Sequence, residues 1–491
     1  MPFILGANTI SAEAYEIANS CMFDDGDAAD LTRSKGTQTS LQIGTISFWI
    51  KRVTLGIDMK VYTNTVEDDN NRGVIQLPTT DQFRTIDAAS DTLFDLKASA
   101  RSRDPAAWSH WVLAIDTTQS TNTNRIKLYH NGTLQTSFAT ESYCDQNQNL
   151  KFFEGGQTDK EVIGGINGET SDGDFYLAEF IYCDGQQYAA SDFGEFDSDS
   201  PLIWKPTDPS SLTFGNEGFW LDFEDSSALG NDVSGNNNDF TANNLAATDQ
   251  CLDSPTNNFC VMNTLDKYWP TTGTAPAFHQ GNLKVVGGSG SNSSTGYSYY
   301  TSTFGLSAGK WYWEVHITDI PSGGGQSLVG IIDVTQRYNQ NLGEIVDATG
   351  ITWGIKNNGH LFNNNTGAAE TGTFVEGDTV GIALDITNSK IYFSKGGAWS
   401  DGNEAWDSTT FNASVGDVDI TAVGSTHNGH WFATVGGTEY SKTTTWTLNF
   451  GSPVISISSG NADENGYGNF EYAVPDGFLA VCTKNLGSAG G

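Results

Sequence analysis

The chain has 491 residues, with 24 Lys and Arg against 59 Asp and Glu, for a formal charge of −35. Such a surface is repelled by the phosphates of a nucleic acid, which excludes that class of partner and fits a highly soluble protein. With 55 Gly, 12% aromatic residues and no long stretch of helical period, the composition reads as all-β, and sandwiches of roughly 200–250 residues make two domains the expected count.

The chain opens on MPFILGANTI, an apolar run with no basic residue before it and no cleavage site after it. Residues 1–20 are therefore read as an arm and not as a signal peptide, in a protein made and folded in a cytosol. No segment is long and apolar enough to insert in a bilayer as a helix. Cys21, Cys144, Cys183, Cys251, Cys260 and Cys482 show no CxxC pair and no grouping at metal spacing, so most are expected as small buried apolar residues.

From Cys21 the chain reads as a strand, an acidic turn (Asp24, Asp25, Asp27) and a returning strand through Asp30 and Leu31. Thr45–Lys51 alternates Ile46, Phe48 and Ile50 with outward partners, the pattern of a half-buried strand. Trp108–Asp116 is a further strand, and Arg125–Leu134 carries period two through Asn131-Gly132, the strongest short hairpin signal. Phe175–Tyr182 is another strand, ending at Asp184-Gly185.

The ordered series FDDGDAADLTR, TISFWIKR, WSHWVLAID, RIKLYHNG and GDFYLAEFIYCDGQ resembles the concanavalin A-like LamG/pentraxin jelly rolls across residues 21–228. Some members of that family bind Ca²⁺ through loop carboxylates, which makes Asp24, Asp25, Asp27 and Asp30 the metal candidates. Their competing reading is a solvated turn, because EF-hand spacing and a Glu anchor are both missing. No cofactor is required by this sequence, and calcium is the one optional ion. The glycosidase branch of the fold needs two carboxylates across a sugar. Glu179 is the nearest candidate, but it lacks Asp or Glu at the required offsets and is read as an outward strand residue.

After the strand Phe219–Phe223 the chain turns to Gly, Asn, Asp and Ser, so residues 229–295 are read as a linker between two sandwiches. The second half then presents GKWYWEVHI (309–317), LVGII (328–332), ITWGI (351–355), GDTVGIALDI (377–386), KIYFSKGG (390–397) and WTLNFG (446–451). In order and spacing these resemble the SPRY family from about Thr301 to Gly451, which implies a β sandwich that binds peptides or proteins through rim loops. Val380, Ile382, Leu384 and Ile386 share one face, while Gly381 and Ala383 leave room for packing on the other.

The fold class expected is thus all-β, two concanavalin A-like and SPRY-like jelly-roll sandwiches in tandem, the second covering residues 296–486 with a C-terminal strand. Residues 487–491 are expected to be disordered. Tyr297, Tyr299, Tyr300, Trp399, Trp406 and Trp431 are the aromatic contact candidates, with core packing as the competing reading. His427 and His430 sit in an insertion unusual for the pattern, read as a recognition loop.

LDFEDSSALGNDVSGNNNDFTANNL, DSPTNNFCVMNTLD and the tail FEYAVPDGFLAVCTKNL resemble virion-surface and fibre-like proteins of marine bacteriophages, in which both modules occur in this order. The resemblance implies a non-enzymatic virion protein, a tail-fibre or receptor-binding component. It would be a homo-oligomer, a trimer among the options, placed among other virion proteins and touching host-surface polysaccharide or protein. A ligand-free capsid decoration or spacer and a glycan depolymerase are the alternatives.

Overall fold

The strand Ile43–Arg52 shows why the alternation in this chain has to be read on two levels. Ile46, Phe48 and Ile50 enter the sandwich core as their spacing predicts, yet Thr45, Ser47, Trp49 and Lys51 on the opposite face are buried as well. That face is roofed. Tyr15, Ile17 and Trp108 pack on Trp49, and an excursion carrying Phe193, Trp204 and Phe214 covers Val112, Ile181 and Cys183. The half-buried strand expected from sequence is corrected to one buried on both sides, its outward polar groups satisfied by partners such as Asp253 for Lys51.

The computed structural model describes residues 4–5, 15–65, 70–155, 160–166, 173–269, 273–289, 297–321, 327–333, 352–362, 371–402, 405–408, 410–416, 418–420, 429–438 and 443–489. It divides into two compact units, Ile10–Asn258 and Phe259–Gly491 together with Met1–Thr9. Both are β sandwiches, and the chain is nearly all-β. Among the described residues no helix is long and apolar enough to cross a membrane.

Among the described residues of the first unit two eight-stranded sheets face each other. One is centred on Ser109–Asp116, Ile43–Arg52 and Phe175–Asp184, and the other runs from Phe138–Ser142 through Asp91–Arg101, Gln82–Ala89, Asn71–Leu77 and Met59–Thr65 to Lys160–Ile163 and Asp30–Arg33. Between them, Phe48 stacks on Phe180 at 5.1 Å and Phe83 on Trp111 at 4.0 Å. The Asn131-Gly132 hairpin forms as read, with φ of 44° and 74° joining Ile126–His130 to Thr133–Leu134. The acidic stretch after Cys21 is different from the expected return. Ser20–Phe23 pairs in the first sheet and Asp30–Arg33 in the second, so the turn crosses between layers.

Residues 229–258, read as linker, belong to this unit. Thr241–Asn243 adds to Asp30–Arg33, Gln250–Cys251 adds to Ser20–Phe23, and Phe240 meets Phe219 edge-on at 4.8 Å. The order comes from side chains. Asp232 accepts from the backbone N–H of Trp220, Ser234 and Asn238, and the amides of Asn236 and Asn238 both donate to the Gly218 carbonyl.

Among the described residues the second unit pairs a six-stranded with a ten-stranded sheet. Much of what was read as linker here is also strand, with Met262–Tyr268, Ala277–His279 and Lys284–Val286 taking part. Lys310–Asp319 lies between Thr379–Asp385 and Thr445–Asn449, sending Trp311, Trp313, Val315 and Ile317 into the core. A side chain at Gly381 would run into the Ser394 hydroxyl and, next to it, that of Tyr312, which explains the small residue there. The tail closes on its own unit. Phe470, Phe478, Ala480 and Cys482 cluster with Tyr312, Tyr392 and Trp399, and Leu479–Ala480 pairs parallel to Trp311–Tyr312. The tail strand expected from sequence is only these two residues, followed by a helix Thr483–Ala489 that replaces the expected disorder at 487–489. In the arm, Ile4–Leu5 pairs parallel to Phe304–Gly305.

A buried ion cluster holds one end of the first unit. Glu161 accepts from Arg33, from Lys35 at 2.8 Å and from the Tyr62 hydroxyl at 2.6 Å. Burial alone would raise its carboxyl, but Arg33 and Lys35 outweigh that and hold it below the usual range. Glu161→Gln leaves two buried cations without their main counter-charge, an expected loss of about 3–5 kcal/mol. Thermal unfolding of the full chain should show the first unit melting on the order of 10 °C lower.

Candidate functional site

The aromatic contact candidates of the second unit are mostly interior. Tyr299 stacks on Tyr268 at 5.8 Å beside Ile332 and Phe432, and Tyr300 is fully buried with its hydroxyl accepting from Gly288 N–H at 2.6 Å. Trp399 packs edge-on against Phe411, and Trp431 is buried at the start of Trp431–Thr438. Of the two readings given to these four side chains the structure places them in core packing, since each lies in or beside a strand whose alternation turns it inward. Trp406 is half-buried, its indole donating to Thr373 O at 3.0 Å. Tyr297 lies in a strand opposite Thr438, His430 is half-buried, and His427 lies outside the described residues.

In the acidic turn, Asp24 and Asp25 bring carboxylate oxygens within 4.8 Å of each other. Asp24 is buried and accepts from Gly26 N–H, Asp25 and Asp27 are exposed, and Asp30 accepts from Asn243 at 2.6 Å. Sequence reasoning missed their neighbour Asp174. Burial, with Asp25 and Asp24 nearby, pushes its carboxyl up to about 7.

Glu179 is not the outward residue expected from sequence. It sits at a bulge in the central strand with φ of 49°, is buried, and accepts from the Tyr15 hydroxyl at 2.8 Å through Oε1. Its Oε2 has no hydrogen-bond partner, and the neighbouring void measures only about 10 Å³. Burial drives the carboxyl up to about 8. Nearby, His110 is kept neutral by burial, at about 3. The Trp204 indole donates to His110 Nδ1 at 3.0 Å, so the ring proton is on Nε2 and points at Ser47 Oγ, 2.8 Å away. That polarity is opposite to the one a histidine base needs to activate a serine. The void has no room for a sugar, so this cluster is a structural centre.

The open site of the first unit lies in the stretch that sequence assigned to a linker. A cleft of about 480 Å³ opens between residues 226–231 and 239–247. Leu229, Phe240 and Leu245 form its apolar wall, and Ser226, Asn231 and Asp239 bring hydroxyl, amide and carboxylate to it. The walls are held locally. Asp225 caps the turn at Ser227, Phe240 N–H donates to Gly230 O at 2.8 Å, and Asp239 accepts from Asp232 N–H at 2.9 Å. A side chain at Gly230 would strike the Phe240 carbonyl, so the two strands of the loop meet only because that position is glycine. An apolar wall with a few converging polar groups suits a ring that carries hydroxyls on its edge and C–H bonds on its face.

The profile described as the concanavalin A-like lectin/glucanases superfamily matches residues 24–175, and that of the SPRY domain matches residues 310–416. The chain therefore carries a LamG/concanavalin A-like domain and a SPRY domain, kinds of module that typically bind. The SPRY domain of human HERC1 is 15% identical, over 38% of this chain and 96% of its own, with a TM-score of 0.27. The native heptameric SAP-like pentraxin of Limulus polyphemus is 11% identical, over 36% and 80%, with a TM-score of 0.25. A human SPRY domain is 17% identical, over 36% and 94%, with a TM-score of 0.24. The comparison with curated proteins gave no match.

The raised carboxyls make stability depend on pH. Glu179 keeps in the folded state a proton that the unfolded chain releases near 4.5, so stability declines as pH rises from there through about 8. Glu179→Gln keeps an acceptor for Tyr15 and removes the ionisation. One unit of such a shift is about 1.4 kcal/mol, so the melting temperature at pH 8.5 should rise by several degrees while that at pH 5 moves little. Differential scanning calorimetry at the two pH values reads this directly.

Proposed function

We propose that this chain is a non-catalytic adhesive protein of a bacteriophage particle, a tail-fibre or receptor-binding component that holds a host-surface saccharide in the cleft of its LamG-like unit. The observation that carries the binding assignment is the cleft itself, where Asn231 and Asp239 face an apolar wall of Leu229, Phe240 and Leu245. The phage assignment rests on the resemblance of the 221–266 stretch and of the tail to virion-surface proteins. The particle surface, other virion proteins and further copies of the same chain are the surroundings this reading implies. Turnover is not part of it, because the buried Glu179 is enclosed in a void too small for a sugar ring.

Glycan-array binding of the purified chain, followed by titration of the best hit, tests the binding assignment. Asn231→Ala and Asp239→Asn are each expected to weaken that hit about tenfold, the size of one lost hydrogen bond to a charged or well-placed partner. Binding unchanged in both variants would remove the cleft from the account. Immunogold labelling of intact particles tests the phage assignment, with label at the tail tip expected. Label spread over the capsid would favour the decoration reading.

A further inference from the structure

Lys51 lies on the outer face of the central strand Ile43–Arg52, and its side chain is wholly enclosed. Its nitrogen meets two side chains from one short turn, donating to Asp253 Oδ2 at 2.7 Å and to Asn258 Oδ1 at 2.7 Å. Ser254 and Asn257 close that turn by exchanging backbone hydrogen bonds of 3.2 and 3.1 Å, which sets Asp253 and Asn258 on its two legs, facing the same nitrogen. Asp253 and Asn258 are themselves buried.

Each partner is held by further bonds. The Trp108 indole donates to Asp253 Oδ1 at 2.9 Å, Ser20 Oγ donates to the Asp253 carbonyl at 2.6 Å, and Asn258 Nδ2 donates to Ala106 O at 2.7 Å. Thr256, inside the turn, accepts from the N–H of Ile17 and donates to its carbonyl. Aromatic rings wall the place, with Tyr176 centred 5.7 Å from Lys51 Nζ and Trp108 edge-on to it at 6.3 Å.

An ion pair with Asp253 is enough to accommodate a buried lysine, and it does not call for an amide beside it. Lys35, equally enclosed, meets a carboxylate and a backbone carbonyl. What Asn258 adds is an electrophilic carbon. A carbonyl bond is about 1.2 Å long, so Cγ of Asn258 lies within about 4 Å of the lysine nitrogen, near the separation from which fixed groups react.

We propose that Lys51 and Asn258 join in a side-chain amide, with Asp253 as the acid–base group. Lys51 passes a proton to Asp253 across their hydrogen bond, and the freed amine lone pair attacks Cγ of Asn258. The Nζ–Cγ bond forms and the Cγ–Nδ2 bond breaks. A second proton moves from Nζ to the departing nitrogen, Asp253 returns the first, and ammonium leaves with Asp253 a carboxylate again. Nothing is oxidised or reduced, and no added group takes part.

The bond ties the central strand to a residue 207 positions later, the last of its unit. A pull applied beyond Asn258 would then be delivered to Ile43–Arg52, and would not peel the turn and the edge strand Gln250–Cys251 from the sheet. The amide concerns neither the cleft at 226–247 nor its ligand.

Protease digestion and mass spectrometry of the purified full chain test it. A branched peptide joining Lys51 to Asn258 is expected, lighter than its two linear parts by about 17 Da, the mass of one ammonia. Asn258→Asp should reach the same final mass as the parent, because it releases water in place of ammonia, and Asp253→Ala should leave both peptides linear. Since Asp253→Ala also takes a counter-charge from Lys51, the bond itself is judged on the parent and on Asn258→Asp, which both keep that carboxylate. The proposal is overturned if the parent yields only linear peptides, if the branch joins Lys51 to Asp253 or to any other residue, or if Asp253→Ala still carries the bond.

Discussion

The first unit depends on the charge cluster around Glu161. Its carboxylate lies on one strand, Arg33 on the next and Lys35 just beyond it, and all three are buried. The cations do more than neutralise it. The Arg33 guanidinium lies over the rings of Phe219 and Phe240, at 5.1 and 5.2 Å, and Lys35 lies 4.9 Å over the ring of Tyr182. Phe240 in turn is a wall of the open cleft. A buried pair of this kind gains little over an apolar replacement, but it permits one register only, because any slip would strand a charge in the core. The site is therefore set by an ionic contact on the far side of the aromatic ring that lines it.

How much of this was legible in the sequence divides along physical lines. Strands with period-two apolar spacing were readable, as was the Asn131-Gly132 turn, because both signals are local. The two faces of Ile43–Arg52 were not, since Thr, Ser and Lys look solvent-facing until a partner such as Asp253, some 200 residues away, covers them. The stretch after Gly230 was misread for a related reason. Its Asn and Asp side chains bind backbone rather than water, and a segment ordered by such bonds has the composition of a linker.

The aromatic candidates of the second unit carried two readings in the sequence, contact and core. Tyrosine and tryptophan serve rims and cores equally well, and spacing alone cannot separate the two uses. Tyr299, Tyr300 and Trp431 lie in strands, and Trp399 became interior because Phe470 and Phe478 return from the tail to cover the sheet it belongs to. The Gly381 position is one of close approach, where the hydroxyls of Ser394 and Tyr312 come near, and Ala383 packs in the cluster that holds Tyr312.

All six cysteines of this chain are buried free thiols. Burial rather than covalent bonding is what protects these side chains, since a thiol reacts as its thiolate and needs access to solvent. Opening of the sandwich that encloses it is therefore what would first bring each thiol into contact with an oxidant.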